Sequence, residues 1–145
     1  MKIISEFETF SDSETNEIGK QLSKEAKKND VFCLIGDLGV GKTVFAKGFA
    51  AGLGVREIVN SPTFTIVQEY QGEKLKLYHF DIYRIEAEDE LYEIGFDDYI
   101  FSGGVSLIEW ADRLPDIMPE NAKWIEIKKM LDKGIDYRKI TLYSI

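Results

Sequence analysis

Residues 31 to 54, VFCLIGDLGVGKTVFAKGFAAGLG, constrain this chain more than any other stretch. The unbroken apolar run VFCLI predicts a strand covered on both faces. A glycine-bounded loop follows it directly. The next segment predicts a helix that turns Phe45, Ala46, Phe49, Ala50 and Leu53 inward and stops at Gly52 and Gly54. A buried strand that hands its chain through such a loop to a helix points to an α/β layered fold.

The loop itself has the Walker A spacing: Gly36, four residues, Gly41, Lys42 and Thr43. Glycines permit backbone angles and close approach that a Cβ forbids. The N–H groups of Gly36, Asp37, Leu38, Gly39, Val40, Gly41, Lys42 and Thr43 are then expected to gather around phosphates, helped by the positive end of the following helix. Lys42 is expected to reach the terminal phosphates, and Thr43 to place its hydroxyl on Mg²⁺. No Asn-Lys-x-Asp element of guanine-specific proteins occurs, so ATP is the expected nucleotide.

The rest of the chain fits around this unit. KIISEF predicts a strand, and SDSETNEIGKQLSKEAKK a helix in which Ser11 and Glu14 have capping-box spacing and Ile18, Leu22 and Ala26 recur at every fourth position. NSPTF is a proline turn. FTIVQEY and KLKLYHFDIYR flank QGE as a hairpin, DELYEIGF predicts a short helix, and VSLIEW another buried strand. KWIEIKKML and YRKITLYSI predict a C-terminal antiparallel hairpin around DKG. The expectation is a three-layer P-loop NTPase-like α/β fold with a mixed, partly parallel sheet. Residues 1–145 are expected to form one domain, since neither linker nor repeat interrupts them.

Charge narrows the function. Eighteen Lys and Arg against 26 Asp and Glu give a net charge of −8, which argues against broad contact with a nucleic-acid backbone. Seven carboxylates fall between Glu86 and Asp98 without a Lys or Arg; such a run is either a solvated face or a surface for a basic partner. The acidic N-terminus lacks an apolar signal core, no stretch is long enough to cross a bilayer, and a lone cysteine, Cys33, fits a reducing cytoplasm.

Further candidates lie beyond the loop. Glu109 ends the apolar strand VSLIEW, where a carboxylate is costly to bury unless paired or metal-bound; it is read as a Mg²⁺ ligand or as an ordinary strand-end acid. SPTF occupies the position of a phosphate-sensing switch, with Thr63 as the sensor, or is a plain proline turn. If HFDIYR is one strand, His79, Asp81 and Tyr83 share a face. Asp81 then serves the Mg²⁺ shell or orients the attacking water, and His79, the only histidine, has a structural hydrogen-bonding role.

In this order and in so short a chain, GDLGVGKT, SPTF, the H-x-D-x-Y-R of YHFDIYR, EIGFDDY and the IEW of VSLIEW resemble the bacterial TsaE (YjeE) family. The resemblance runs from about Ser11 to Pro115 and more loosely through the last hairpin. It implies a cytoplasmic, Mg²⁺-dependent ATPase that serves threonylcarbamoyladenosine (t6A) modification of tRNA; hydrolysis is expected to be slow in isolation, because positioning drives phosphoryl transfer. Such proteins act on the TsaB–TsaD complex to permit turnover and meet tRNA only indirectly. The resemblance assigns Lys42 to the phosphates, Thr43 and Glu109 to the metal, Thr63 to a switch-like loop and Asp81 to hydrolysis. It also makes Trp110 functionally sensitive and Ser11 and Gly134 adenosine-side contacts. Two other readings compete: a small-molecule kinase, disfavoured by four arginines and no evident lid, and an adaptor that keeps nucleotide without meaningful hydrolysis.

Overall fold

The computed structural model describes residues 1–145. In chain order the elements are β1 (Lys2–Thr9), α1 (Asp12–Lys24), β2 (Val31–Ile35), α2 (Lys42–Gly52), β3 (Val67–Gln71), β4 (Lys76–Asp81), α3 (Glu88–Glu93), α4 (Phe96–Ile100), β5 (Val105–Glu109), β6 (Lys123–Lys129) and β7 (Arg138–Ser144). All seven strands join one sheet in the order β1-β7-β6-β2-β5-β4-β3. The central strands β6, β2, β5 and β4 run parallel. Antiparallel pairs flank them, β3 on β4 at one side and β7 with β1 at the other.

Alternation along the central strands sorts the core into two layers. Phe32 and Leu34 of β2, Leu77 of β4 and Leu107 of β5 pack with Phe45 and Phe49 of α2, and α1 covers that helix through Ile18 and Leu22. Val31 and Cys33, Phe80 and Ile108 face the opposite side, under Leu91 of α3 and Phe96 and Ile100 of α4. The sheet therefore lies between two helical layers, as the buried run VFCLI requires. Cys33 is fully enclosed, and burial pushes its thiol up, away from the reactive thiolate form. No helix is long and apolar enough to cross a membrane.

Several local expectations change. The first helix stops at Lys24, short of the predicted end, although its capping holds: Ser11 Oγ accepts from Glu14 N at 3.1 Å, and Glu14 Oε1 accepts from Phe10 N. FTIVQEY becomes a strand only from Val67, because Ile66 takes a left-handed φ of 69°. HFDIYR is not one strand. It leaves the sheet after Asp81, whose Oδ1 accepts the Tyr83 N–H at 2.9 Å, so Tyr83 no longer shares the face of His79 and Asp81. DELYEIGF breaks into α3 and α4 at Gly95, at φ 87°. The C-terminal hairpin forms, and β7 gains β1 as a second neighbour.

Helices α1 and α2 touch backbone to backbone. A Cβ on Gly48 would collide with the Asn16 carbonyl, and one on Gly19 would lie 2.9 Å from Phe49 N. Gly48→Ala must push the helices apart and should destabilise the fold by about 1–3 kcal/mol. The check is a lower urea midpoint together with faster reaction of the enclosed Cys33 with a thiol reagent; an unchanged midpoint would contradict the close approach.

Candidate functional site

Three parallel strands end together, and their C-terminal ends build one cleft. Strand β2 runs out into the glycine loop, β4 ends in Asp81, and β5 ends in Glu109. The register sets Glu109 beside Leu34 on one side and beside Asp81 on the other. Both carboxylates point to the α2 face. The cleft, about 480 Å³, is lined by Gly39, Gly41, Lys42 and Thr43 from the loop, Ser61 and Thr63 from the proline turn, and Asp81, Glu109 and Trp110 from the strand ends.

The loop wraps the start of α2. Gly41 is the N-cap at φ 107°, a conformation that L side chains rarely adopt. Gly36 is needed for a different reason: a Cβ there would stand 2.8 Å from both Ile127 O and a Val40 methyl. Cβ atoms on Gly39 and Gly41 would meet nothing within 4 Å. The loop is thus tight against β6 and open toward the cleft. Arg138 Nε donates to Val40 O at 2.7 Å, tying β7 to the loop from behind.

Three charged groups are buried here: Lys42 is 7% exposed, Asp81 5% and Glu109 3%. Lys42 Nζ donates to Gly36 O at 2.5 Å and Asp37 O at 2.9 Å, and it stands 4.0 Å from the centre of the Trp110 ring. Burial pulls its ammonium below the ordinary lysine value, and the nearby Glu109 and Asp81 charges pull it back up. Trp110 reaches this position because the chain turns sharply after β5, with Trp110 at φ 63°. Its other ring contact is Tyr83, at 4.8 Å between centroids.

The two carboxylates are committed differently. Asp81 Oδ2 accepts from Ser61 Oγ at 3.3 Å and Thr63 Oγ1 at 3.2 Å, while Oδ1 holds the Tyr83 amide. Asp81 therefore fastens the proline turn to the end of β4. Ile66 closes the same turn, with its N–H on Pro62 O at 2.7 Å and its carbonyl on Asp81 N at 2.8 Å. A β-branched residue in this conformation is strained by roughly 1–3 kcal/mol. Glu109 Oε2 lies 2.6 Å from His79 Nε2, and its Oε1 has no side-chain or backbone partner.

The donor set suits a hard cation shared with phosphate oxygens. Thr43 offers a hydroxyl, Glu109 a carboxylate oxygen, and the loop opens onto the same space. No three His, Cys, Asp or Glu side chains cluster closely enough to cage a metal alone. A cation here would complete its shell with waters and phosphate oxygens, which is the usual binding mode of Mg²⁺.

The structure brings together Gly39, Gly41, Lys42, Thr43, Thr63, Asp81 and Glu109, with Leu38 at the rim. Gly36, Asp37 and Val40 line a separate groove against Ile127 and Lys128 of β6. Ser11 and Gly134 stand outside the cleft lining: Ser11 Oγ caps α1, and Gly134 lies in the β6–β7 connection. Their neighbours Asp12 and Asp136, with Arg138, line the cleft instead. None of these three was a sequence candidate, nor was Ser61, although it stands in SPTF; its signal was the extended conformation that Pro62 imposes on it. Asp81→Ala should release the turn. With about 1 kcal/mol lost per hydrogen bond, amide-exchange protection at Tyr83 should fall by about an order of magnitude; unchanged protection would contradict the latch.

The family model described as "Threonylcarbamoyl adenosine biosynthesis protein TsaE" matches residues 9–140. The chain is 47% identical over 137 residues to the tRNA threonylcarbamoyladenosine biosynthesis protein TsaE of Bacillus subtilis, covering 94% of this chain and 84% of that protein. It is 36% identical over 124 residues to the TsaE protein of Treponema pallidum, covering 86% of this chain and 89% of that one. The crystal structure of Bacillus subtilis YdiB superposes with a TM-score of 0.85 at 40% identity, covering all of this chain and 88% of that chain. With the match spanning nearly its whole length, the chain belongs to the TsaE family, whose members are named for tRNA threonylcarbamoyladenosine biosynthesis.

Proposed function

We propose that this chain is a Mg²⁺-dependent ATPase that serves t6A modification of tRNA by acting on a TsaB–TsaD complex to permit its turnover. The observation that carries the reading is the convergence of Lys42, Thr43 and Glu109 on one cleft, at the mouth of a loop with Walker A spacing. Lys42 and the loop amides bind and orient the phosphates. Thr43 and Glu109 would hold Mg²⁺, which neutralises phosphate charge when bound. Thr63 faces the same space from the turn that Asp81 fastens, and Trp110 fixes where the Lys42 ammonium sits.

Asp81 acts in hydrolysis through this turn. Its three protein donors leave it better placed to order Ser61 and Thr63 than to take a proton. Positioning dominates phosphoryl transfer, so hydrolysis is slow while nothing bound to the chain fixes this turn, and partners raise the rate.

The seven carboxylates from Glu86 to Asp98 are all exposed on and around α3 and α4 and offer a docking face for a basic protein surface, with tRNA met only through the partners. Glu90 is a poor probe of that face, because its Oε2 accepts the Glu86 N–H at 2.9 Å and so supports α3. Glu93 and Asp97 have no such local role. The pair Glu93→Lys and Asp97→Lys should weaken binding to TsaB–TsaD several-fold and leave ATP affinity unchanged; normal complex formation would move the docking face elsewhere.

ATP turnover measured with and without TsaB–TsaD tests the main reading. Wild type should be slow alone and faster with the complex, and Glu109→Ala should fall to background in both. Hydrolysis that is independent of the complex, or that survives Glu109→Ala, would count against the proposal. Turnover at background even with partners would instead favour a nucleotide-dependent adaptor.

A further inference from the structure

His79 is the only histidine in the chain, and it is 1% exposed. Strand register places it opposite Leu107, two residue pairs back from Asp81 and Glu109. Residues two apart on a strand share a face, so the imidazole meets Glu109 diagonally across β4 and β5. Nε2 and Oε2 stand 2.6 Å apart. Nδ1 is buried without a partner. A proton on Nδ1 would be a stranded buried donor, and such groups are rare, so the geometry puts the proton on Nε2, from which it is donated to Glu109.

This bond restrains the carboxylate. The terminal torsion of a glutamate is broad, and an untethered carboxylate turns freely about it. With Oε2 tied to the imidazole, Oε1 is the oxygen left free of protein hydrogen bonds where Glu109 lines the cleft. We propose that His79 is a positioning residue: by donating Nε2–H to Oε2 it fixes the plane of the Glu109 carboxylate so that Oε1 is offered to a divalent cation in the cleft. The proposal rests on the reading of Glu109 as a metal ligand. Hydrogen-bonded supports of this kind typically alter metal affinity about ten- to a hundredfold.

Mn²⁺ affinity, measured on the full chain by electron paramagnetic resonance in the presence of ADP, is the test, with ADP affinity in EDTA as the metal-free control. His79→Leu should weaken Mn²⁺ binding about ten- to a hundredfold while the EDTA value holds. His79→Gln, whose amide N–H can reach Oε2, should recover most of the loss. Wild-type Mn²⁺ affinity in His79→Leu, alongside a loss in Glu109→Gln, would overturn the positioning role alone. Wild-type affinity in both variants would remove the metal-ligand reading of Glu109 and the proposal with it. If Leu at position 79 unfolds the chain, the wild-type protein labelled with ¹⁵N-histidine decides. Its single imidazole should show the proton on Nε2, with a resonance that moves when Mg²⁺ is added to the ADP complex. A bare Nε2, or a resonance indifferent to Mg²⁺, would overturn the proposal.

Discussion

The parallel register of β2, β5 and β4 is the constraint on which everything else depends. It aligns the end of β2 with Glu109 and Asp81, so the glycine loop opens where the carboxylates stop. Burying a lone charge is expensive, and here Lys42, Asp81 and Glu109 are all nearly enclosed. Each is tolerated because partners are built in: loop carbonyls and an indole face for the ammonium, two hydroxyls and an amide for Asp81, an imidazole for Glu109. A slip of one residue in β4 or β5 would turn that strand's carboxylate to the opposite face, under α3 and α4.

Around this frame the backbone is bent to bring side chains inward. Ile66 and Trp110 both adopt left-handed conformations that their side chains disfavour. The first closes the turn that carries Ser61 and Thr63; the second swings an indole over Lys42. Strain of this kind persists only where surrounding contacts enforce it, and it gathers at working sites. From Lys42 the contacts run through Trp110 to Tyr83, and Arg113 covers the Tyr83 ring while donating to Ile85 O. Tyr83 is partly exposed, so this packed line connects Lys42 in the cleft with the outer surface.

Much of this was legible in the sequence because it is local. The run VFCLI, the glycine spacing after it, and Ser11 with Glu14 each declare their structure within a few residues. So did Glu109, since a carboxylate closing an apolar strand needs a reason. The rest depends on contacts far apart in the chain. HFDIYR alternates like a strand throughout, and only the hydrogen bond from the Tyr83 amide to Asp81 shows why it stops early. The pairing of His79 with Glu109 spans thirty positions and results from strand order, which periodicity does not reveal. The addition of β1 beside β7 is equally non-local, and it brings Tyr137 OH within 2.7 Å of Glu8. Ser11 had a capping role from its spacing and an adenosine role from family resemblance; the structure displays the first.

The reading of the cleft as a phosphate site rests most heavily on Lys42. Calorimetric titration of ATP into wild type and Lys42→Ala is the most direct measurement. Losing two charge-assisted contacts should weaken binding by about a hundredfold or more. Equal affinity in the two proteins would mean that the loop does not hold the phosphates.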